Sequence, residues 1–150
     1  MIKVLFICHG NICRSPMAEF MFKDMVKKLG IDDEFFIASA AVSSEEIGNP
    51  VYPPAVKRLA EAGISCKGKR AVKVTRDDYK IYDYILAMES YNLDRLNRIT
   101  GGDPDGKVHL LLDFTDRKGN IADPWYTGNF DRTYNDIYEG LKGFLKYLGK

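Results

Sequence analysis

The chain has 150 residues, with 22 lysines and arginines against 21 aspartates and glutamates and a formal net charge of +1. That balance excludes a bulk polyanion binder held by global charge, and an acidic disordered tail as well. At 45% hydrophobic, 12% aromatic and 29% charged, the composition is that of one globular domain over residues 1–150, able to bury roughly two-thirds of its unfolded surface.

The longest apolar run, Val4 to Cys8, falls far short of the roughly 20 residues that a bilayer crossing needs. No cleavable leader is read at the start. The chain is therefore expected in the cytoplasm, with no membrane or nucleic-acid partner. Its three cysteines, Cys8, Cys13 and Cys66, are an odd number for a disulfide framework in an unsecreted protein. The only histidines, His9 and His109, are not spaced as a zinc pair. No metal or other cofactor is expected. Free thiol chemistry or buried packing remains.

In chain order, Lys3 to Ile7 reads as a fully buried strand. Met17, Phe20, Met21, Met25 and Leu29 then fall on one face at helical spacing. Ser15 stands at the expected N-cap, Pro16 at N1 and Gly30 just past the end. Phe35 to Ser39 predicts a second strand, and Pro53 to Ala62 a helix closed by Gly63. Tyr82 to Met88 predicts a third strand, after which Ser90 caps a helix carrying Leu93, Leu96 and Ile99. Val108 to Phe114 predicts a fourth strand. A last helix begins near Asp131, with Tyr134, Ile137, Tyr138, Leu141, Leu145 and Leu148 along one stripe. Strands alternating with helices imply βαβ units and a parallel sheet covered on both faces. Ligands of such sheets bind beyond the carboxyl ends of the strands.

The first such loop reads Cys8-His9-Gly10-Asn11-Ile12-Cys13-Arg14-Ser15. A short loop wrapping back onto a helix start aims successive backbone N–H groups at one point, an anion site. Gly10 and Asn11 are the residue types that most easily take the left-handed conformations such a wrap needs. Arg14 adds a planar fork for two phosphate oxygens. Among these donors Cys8 is expected as a thiolate, placed for in-line attack on phosphorus. Ser15 can donate to the sulfur. The bland alternative, in which Cys8 packs the strand end and Arg14 is a surface residue, does not account for the strand, Gly-Asn and Ser-Pro occurring together. Displacing an aryl or alkyl oxygen also needs a proton donor. Asp123, in Ala122-Asp123-Pro124-Trp125-Tyr126 after the fourth strand, is the candidate, although Asp-Pro alone commonly just starts a turn.

Together, C-H-G-N-I-C-R-S-P and D-P-W-Y resemble the low-molecular-weight protein tyrosine phosphatases, and the resemblance extends through Glu46–Pro50 and Tyr82–Met88. It implies a three-layer α/β fold, a four-stranded parallel sheet with helices on both faces. It further implies hydrolysis of phosphotyrosine monoesters through a phosphocysteine, on tyrosine-phosphorylated proteins or small aryl phosphates, releasing inorganic phosphate from a monomer. By the same resemblance Cys8 is the nucleophile, Arg14 the phosphate clamp, and Asp123 the acid and then the base. His9, Gly10, Asn11, Ile12 and Cys13 form the rest of the phosphate-binding loop. Asn11, Ser15 and Ser39 support it, Cys13 is a redox partner for Cys8, and Trp125 and Tyr126 wall the substrate ring.

Some positions depart from the family pattern. His9 replaces an apolar residue and is expected to face outward. Glu45 stands where relatives often carry the aromatic of the opposite wall, which disfavours acidic phosphopeptides. Lys69-Arg70-Ala71-Val72 replaces a His-x-Ala-Arg element, so a rebuilt network is expected around Asn11. Between Lys57 and Lys80 there are eight Lys+Arg against three acids, and between Asp103 and Glu139 four against eight. A basic segment bordering the cleft would steer phosphorylated partners inward; otherwise it is a solvated face. Protein arginine phosphatases of the same fold are the closest rival reading, but they tend to carry Thr at the position of Ile12 and a less aromatic D-P loop. An arsenate reductase needs relay cysteines, and Leu86-Ala87-Met88-Glu89 has none.

Overall fold

The computed structural model describes all residues, Met1–Lys150. Four parallel strands, β1 (Ile2–Cys8), β2 (Phe35–Ala41), β3 (Tyr84–Ala87) and β4 (Val108–Leu110), form one sheet in the order β2-β1-β3-β4. Six α-helices connect and cover them: α1 (Arg14–Lys28), α2 (Pro53–Glu61), α3 (Arg76–Ile81), α4 (Ser90–Thr100), α5 (Pro124–Thr127) and α6 (Phe130–Tyr147). Because strand side chains alternate between faces, β1 feeds two separate cores. Val4 and Phe6 pack with Met17, Phe22, Leu59, Ile137, Leu141 and Phe144, from α1, α2 and α6. Leu5 and Ile7 pack with Tyr79 and Leu96, from α3 and α4 on the other face. Each fully buried Leu, Ile or Phe contributes about 1.5–3 kcal/mol.

Cys8 ends β1 beside Ala41 of the edge strand β2, at the carboxyl edge of the sheet. Helix α1 ends at Lys28 with Leu29 at the C-cap, and Gly30 follows at φ 73°, the left-handed C′ glycine its sequence implies.

Several boundaries differ from the sequence reading, each for a local reason. Helix α1 begins at Arg14 with Cys13 at the N-cap, so Ser15 lies inside the first turn and caps nothing. Likewise Glu89, not Ser90, is the N-cap of α4. β2 runs two residues further, to Ala41. The expected third strand loses Tyr82 to the end of α3, a six-residue helix absent from the sequence reading. Its capping box was nonetheless present in the sequence: Asp78 N–H donates to Thr75 Oγ1 at 3.3 Å and Thr75 N–H to Asp78 Oδ2 at 2.8 Å. The fourth strand stops at Leu110, because Asp113 Oδ2 accepts the Leu110 N–H at 3.2 Å and Leu111–Phe114 turns into a 3-10 helix. That turn packs against α6 at Gly140 and Gly143, where a Cβ would meet the Leu111 side chain and the Phe114 carbonyl.

Candidate active site

Residues 9–13 make the turn from β1 into α1, and four carbonyls between Cys8 and Cys13 are bonded to the surrounding scaffold or to α1. The Cys8, His9, Ile12 and Cys13 carbonyls accept from Val42 N (3.0 Å), Ser43 N (3.1 Å), Tyr52 N (2.9 Å) and Met17 N (3.0 Å). None of the backbone N–H groups from Gly10 to Arg14 donates to another group of the protein. Carbonyls tied to the scaffold and N–H groups left over make an anion cradle at the start of a 15-residue helix. The left-handed turn falls on Asn11 alone, at φ 60°; Gly10 does not take it, contrary to expectation. Gly10 serves close approach instead, since a Cβ there would lie 3.3 Å from Glu46 Cγ.

Both ends of the Asn11 amide hold this strained backbone. Oδ1 accepts Val72 N–H at 3.2 Å, while Nδ2 donates to Ser15 Oγ at 2.7 Å and to Ser39 Oγ at 3.0 Å. Ser39 Oγ donates onward to Glu19 Oε1 at 2.6 Å. Ser15 Oγ, already an acceptor from Asn11, has its proton free for Cys8 Sγ, 2.9 Å away.

Arg14 is only 1% exposed, and its guanidinium is held at three points. Nη1 donates to the Ile121 carbonyl at 2.9 Å, and Nη2 lies 3.1 Å from Glu89 Oε1 and 3.2 Å from Asp123 Oδ2. Burial alone would lower its pKa, but Cys8, Asp123 and Glu89 together outweigh burial and raise it. The loop bearing Asp123 reaches this position because Ile121 N–H donates to the Met88 carbonyl just beyond β3, at 2.8 Å. Asp123 then caps α5, its Oδ1 accepting Trp125 N–H at 3.0 Å, so its other oxygen faces Arg14.

The cleft above the cradle is lined by Cys8, His9, Gly10, Ile12, Cys13 and Arg14 together with Glu45, Glu46, Asp123, Trp125 and Tyr126. The expected catalytic, phosphate-binding and wall residues thus converge, apart from Asn11, Ser15 and Ser39, which are buried behind the loop. Trp125 leans on Tyr52, ring centroids 4.7 Å apart, while Tyr126 is 85% exposed. His9 does not face outward as expected. Its ring lines the cleft, with Nε2 2.9 Å from Glu45 Oε2 and Tyr91 beside it. No residue between Lys57 and Lys80 lines the cleft, so the basic segment does not border it. Cys13 is buried, and burial, followed by the Cys8 charge, pushes its thiol up to about 12. It is therefore a neutral thiol at physiological pH.

Sequence reasoning missed Glu89 and Glu19. Glu89 was visible only as a carboxylate ahead of a helix. Glu19 was visible as an acid one turn after Ser15 on a helix face that is otherwise buried; neither pattern names a partner.

The family model for low molecular weight phosphotyrosine protein phosphatase matches residues 3–150. The low molecular weight protein-tyrosine-phosphatase YfkJ of Bacillus subtilis is 37% identical over 152 residues, spanning 100% of this chain and 97% of its own length. The corresponding Sus scrofa phosphatase is 36% identical over 148 residues, spanning 95% and 93%. The crystal structure of YfkJ superposes with a TM-score of 0.94 over 99% of this chain and 95% of its own. That of Drosophila arginine phosphatase superposes with a TM-score of 0.90 at 29% identity, over 99% of each chain. Full-length sequence identity and a superposable three-layer fold leave one assignment: the chain belongs to the low molecular weight phosphotyrosine protein phosphatases and is a hydrolase of that family.

Proposed function

We propose that the chain, as a single phosphatase domain, hydrolyses phosphotyrosine monoesters through a phosphocysteine on Cys8. The observation that carries this reading is the run of undonated N–H groups from Gly10 to Arg14 in a cleft that Cys8, Arg14 and Asp123 also line. In the first step Cys8 Sγ attacks phosphorus, the P–O bond to the tyrosyl oxygen breaks, and Asp123 gives that oxygen its proton. Such a donor contributes about 10²–10⁴-fold. In the second step a water attacks phosphorus and loses its proton to Asp123, the S–P bond breaks, and inorganic phosphate leaves. Ser15 donates to the departing sulfur throughout.

Arg14 serves both steps by carrying the charge of the equatorial oxygens. An incoming phosphate competes with Asp123 Oδ2 for the guanidinium. Its arrival frees that oxygen for the leaving group, while Glu89 keeps Arg14 in place. The N–H groups and Arg14 account for the phosphate charge without a metal ion, and the reaction is proposed to need no cofactor.

Trp125 and Tyr126 wall the substrate ring on one side, with Glu45 and His9 opposite. The partners are tyrosine-phosphorylated proteins or small aryl phosphates, met by a cytoplasmic monomer that binds neither nucleic acid nor membrane; no helix is long and apolar enough to cross one. The likeness to the arginine phosphatase fold makes phosphoarginine the rival substrate. Matched phosphotyrosine and phosphoarginine peptides decide it. A kcat/KM at least about tenfold higher on phosphotyrosine is expected, and the reverse order would transfer the assignment.

A further inference from the structure

Glu19 is an acid in a place where acids are costly. It is 4% exposed, and a buried carboxylate is tolerated only when paired and hydrogen-bonded. Three groups satisfy it: Ser39 Oγ at 2.6 Å, Lys23 Nζ at 2.6 Å from its own helix, and Lys69 Nζ at 3.6 Å across the fold. Lys69 also donates to the Ser39 carbonyl at 2.9 Å, so one ammonium grips both the acid and the backbone of the serine that binds it. Its side chain is only 12% exposed, whereas Lys23 is half in solvent.

We propose that Lys69 is a positioning residue of the phosphatase reaction, its ammonium fixing Glu19 and Ser39 and through them Asn11, Ser15 and the Cys8 sulfur. This rests on the Cys8 mechanism above. The chain of contacts is continuous: Lys69 to Glu19 and Ser39, Ser39 to Asn11, Asn11 to Ser15, and Ser15 to Cys8. Asn11 is also the one non-glycine residue at positive φ, a conformation that persists only where its surroundings over-determine it. The charged groups that act on Lys69 are Glu19 and Lys23 of α1 and Cys8 at the end of β1. Burial lowers its pKa most, Glu19 and Cys8 oppose that, Lys23 adds to it, and the outcome is below an ordinary lysine. The wild-type ammonium therefore discharges at a lower pH than a free lysine, whereas an arginine in its place stays charged.

The test compares Lys69→Met and Lys69→Arg with wild type on an aryl phosphate from pH 7 to 10, with inorganic phosphate as a competitive inhibitor. At pH 7, Lys69→Met is expected to lose about tenfold in kcat/KM and to weaken phosphate inhibition, and Lys69→Arg to recover to within about threefold. The wild-type to Lys69→Met ratio should fall toward one as pH rises and Lys69 loses its proton. The wild-type to Lys69→Arg ratio should fall as well. Full activity and inhibition in Lys69→Met, or ratios flat across the range, would overturn the proposal. If Lys69→Met does not fold, the pH course of the Lys69→Arg ratio decides alone. Wild-type protein inert on every aryl phosphate would overturn both this proposal and the mechanism beneath it.

Discussion

Ser15 Oγ lies 2.9 Å from Cys8 Sγ while accepting a hydrogen bond from Asn11 Nδ2 at 2.7 Å. Ser15 Oγ accepts from Asn11 and keeps its one proton to give, and a sulfur carrying negative charge can take it. Negative charge is dispersed from that sulfur as it attacks phosphorus and develops on it again as it leaves, so a donor lowers the barrier of the departure. The hydroxyl is thus aimed at the second step more than at the first.

Ser15→Ala should therefore slow dephosphorylation selectively, with kcat falling about 10²-fold, the scale seen when one donor to developing charge is removed. Rapid-mixing kinetics on an activated aryl phosphate should show a burst of product, then a slow steady state, absent or weaker in wild type. A loss of the burst with equal slowing of both phases would mean that Ser15 serves the attack instead.

Two cysteines, Cys8 and Cys13, line one cleft. Burial and the neighbouring Cys8 charge push the Cys13 thiol up to about 12, which leaves roughly 10⁻⁵ of it as thiolate at pH 7. Iodoacetamide at that pH should modify Cys8 first and leave Cys13 and Cys66 intact, and inorganic phosphate should protect Cys8. Raising the pH toward 9 should not expose Cys13, because its raised value keeps it protonated there. Peptide mapping by mass spectrometry reads the outcome; early labelling at Cys13 would contradict it.

Two glycines in α6 should respond to alanine against their helix propensity. Propensity alone predicts a gain of up to about 1 kcal/mol on replacing a helical glycine. At Gly143 the new Cβ would overlap the Phe114 carbonyl, which is backbone and cannot step aside; at Gly140 it would meet Leu111 Cγ at 2.6 Å, a side chain that can turn. Gly143→Ala is expected to destabilise by about 1–3 kcal/mol, and Gly140→Ala by less. Urea unfolding monitors both. An unchanged or raised midpoint for Gly143→Ala would show that α6 and the 3-10 turn can separate without cost.

The site was more legible than its support, and the reason is distance along the chain. Cys8 through Arg14 are local, so strand, loop and helix start could be read together as one anion cradle. Both expected serine caps fall inside their helices, Ser15 two positions past the N-cap Cys13 and Ser90 one past Glu89, because a Ser beside Pro or Tyr satisfies the capping pattern equally well within the first turn. In both cases the hydroxyl or carboxylate so released matters: Ser15 turns to Cys8, and Glu89 reaches Arg14. Glu19 and Lys69 lie 50 positions apart in the chain, and no periodicity signals such a pair. Strand ends failed where a side chain competes for the backbone, as Asp113 does at Leu110. Short α3 was overlooked although its Thr75–Asp78 box was present.

The proposed mechanism requires a covalent phosphate at Cys8. Acid quenching of the enzyme during turnover of a labelled aryl phosphate, followed by peptide mapping, should place one phosphate on Cys8. Cys8→Ser should carry none and turn over nothing, while still binding inorganic phosphate through the N–H groups and Arg14. Sustained turnover by Cys8→Ser, or phosphate trapped on any other residue, would contradict it.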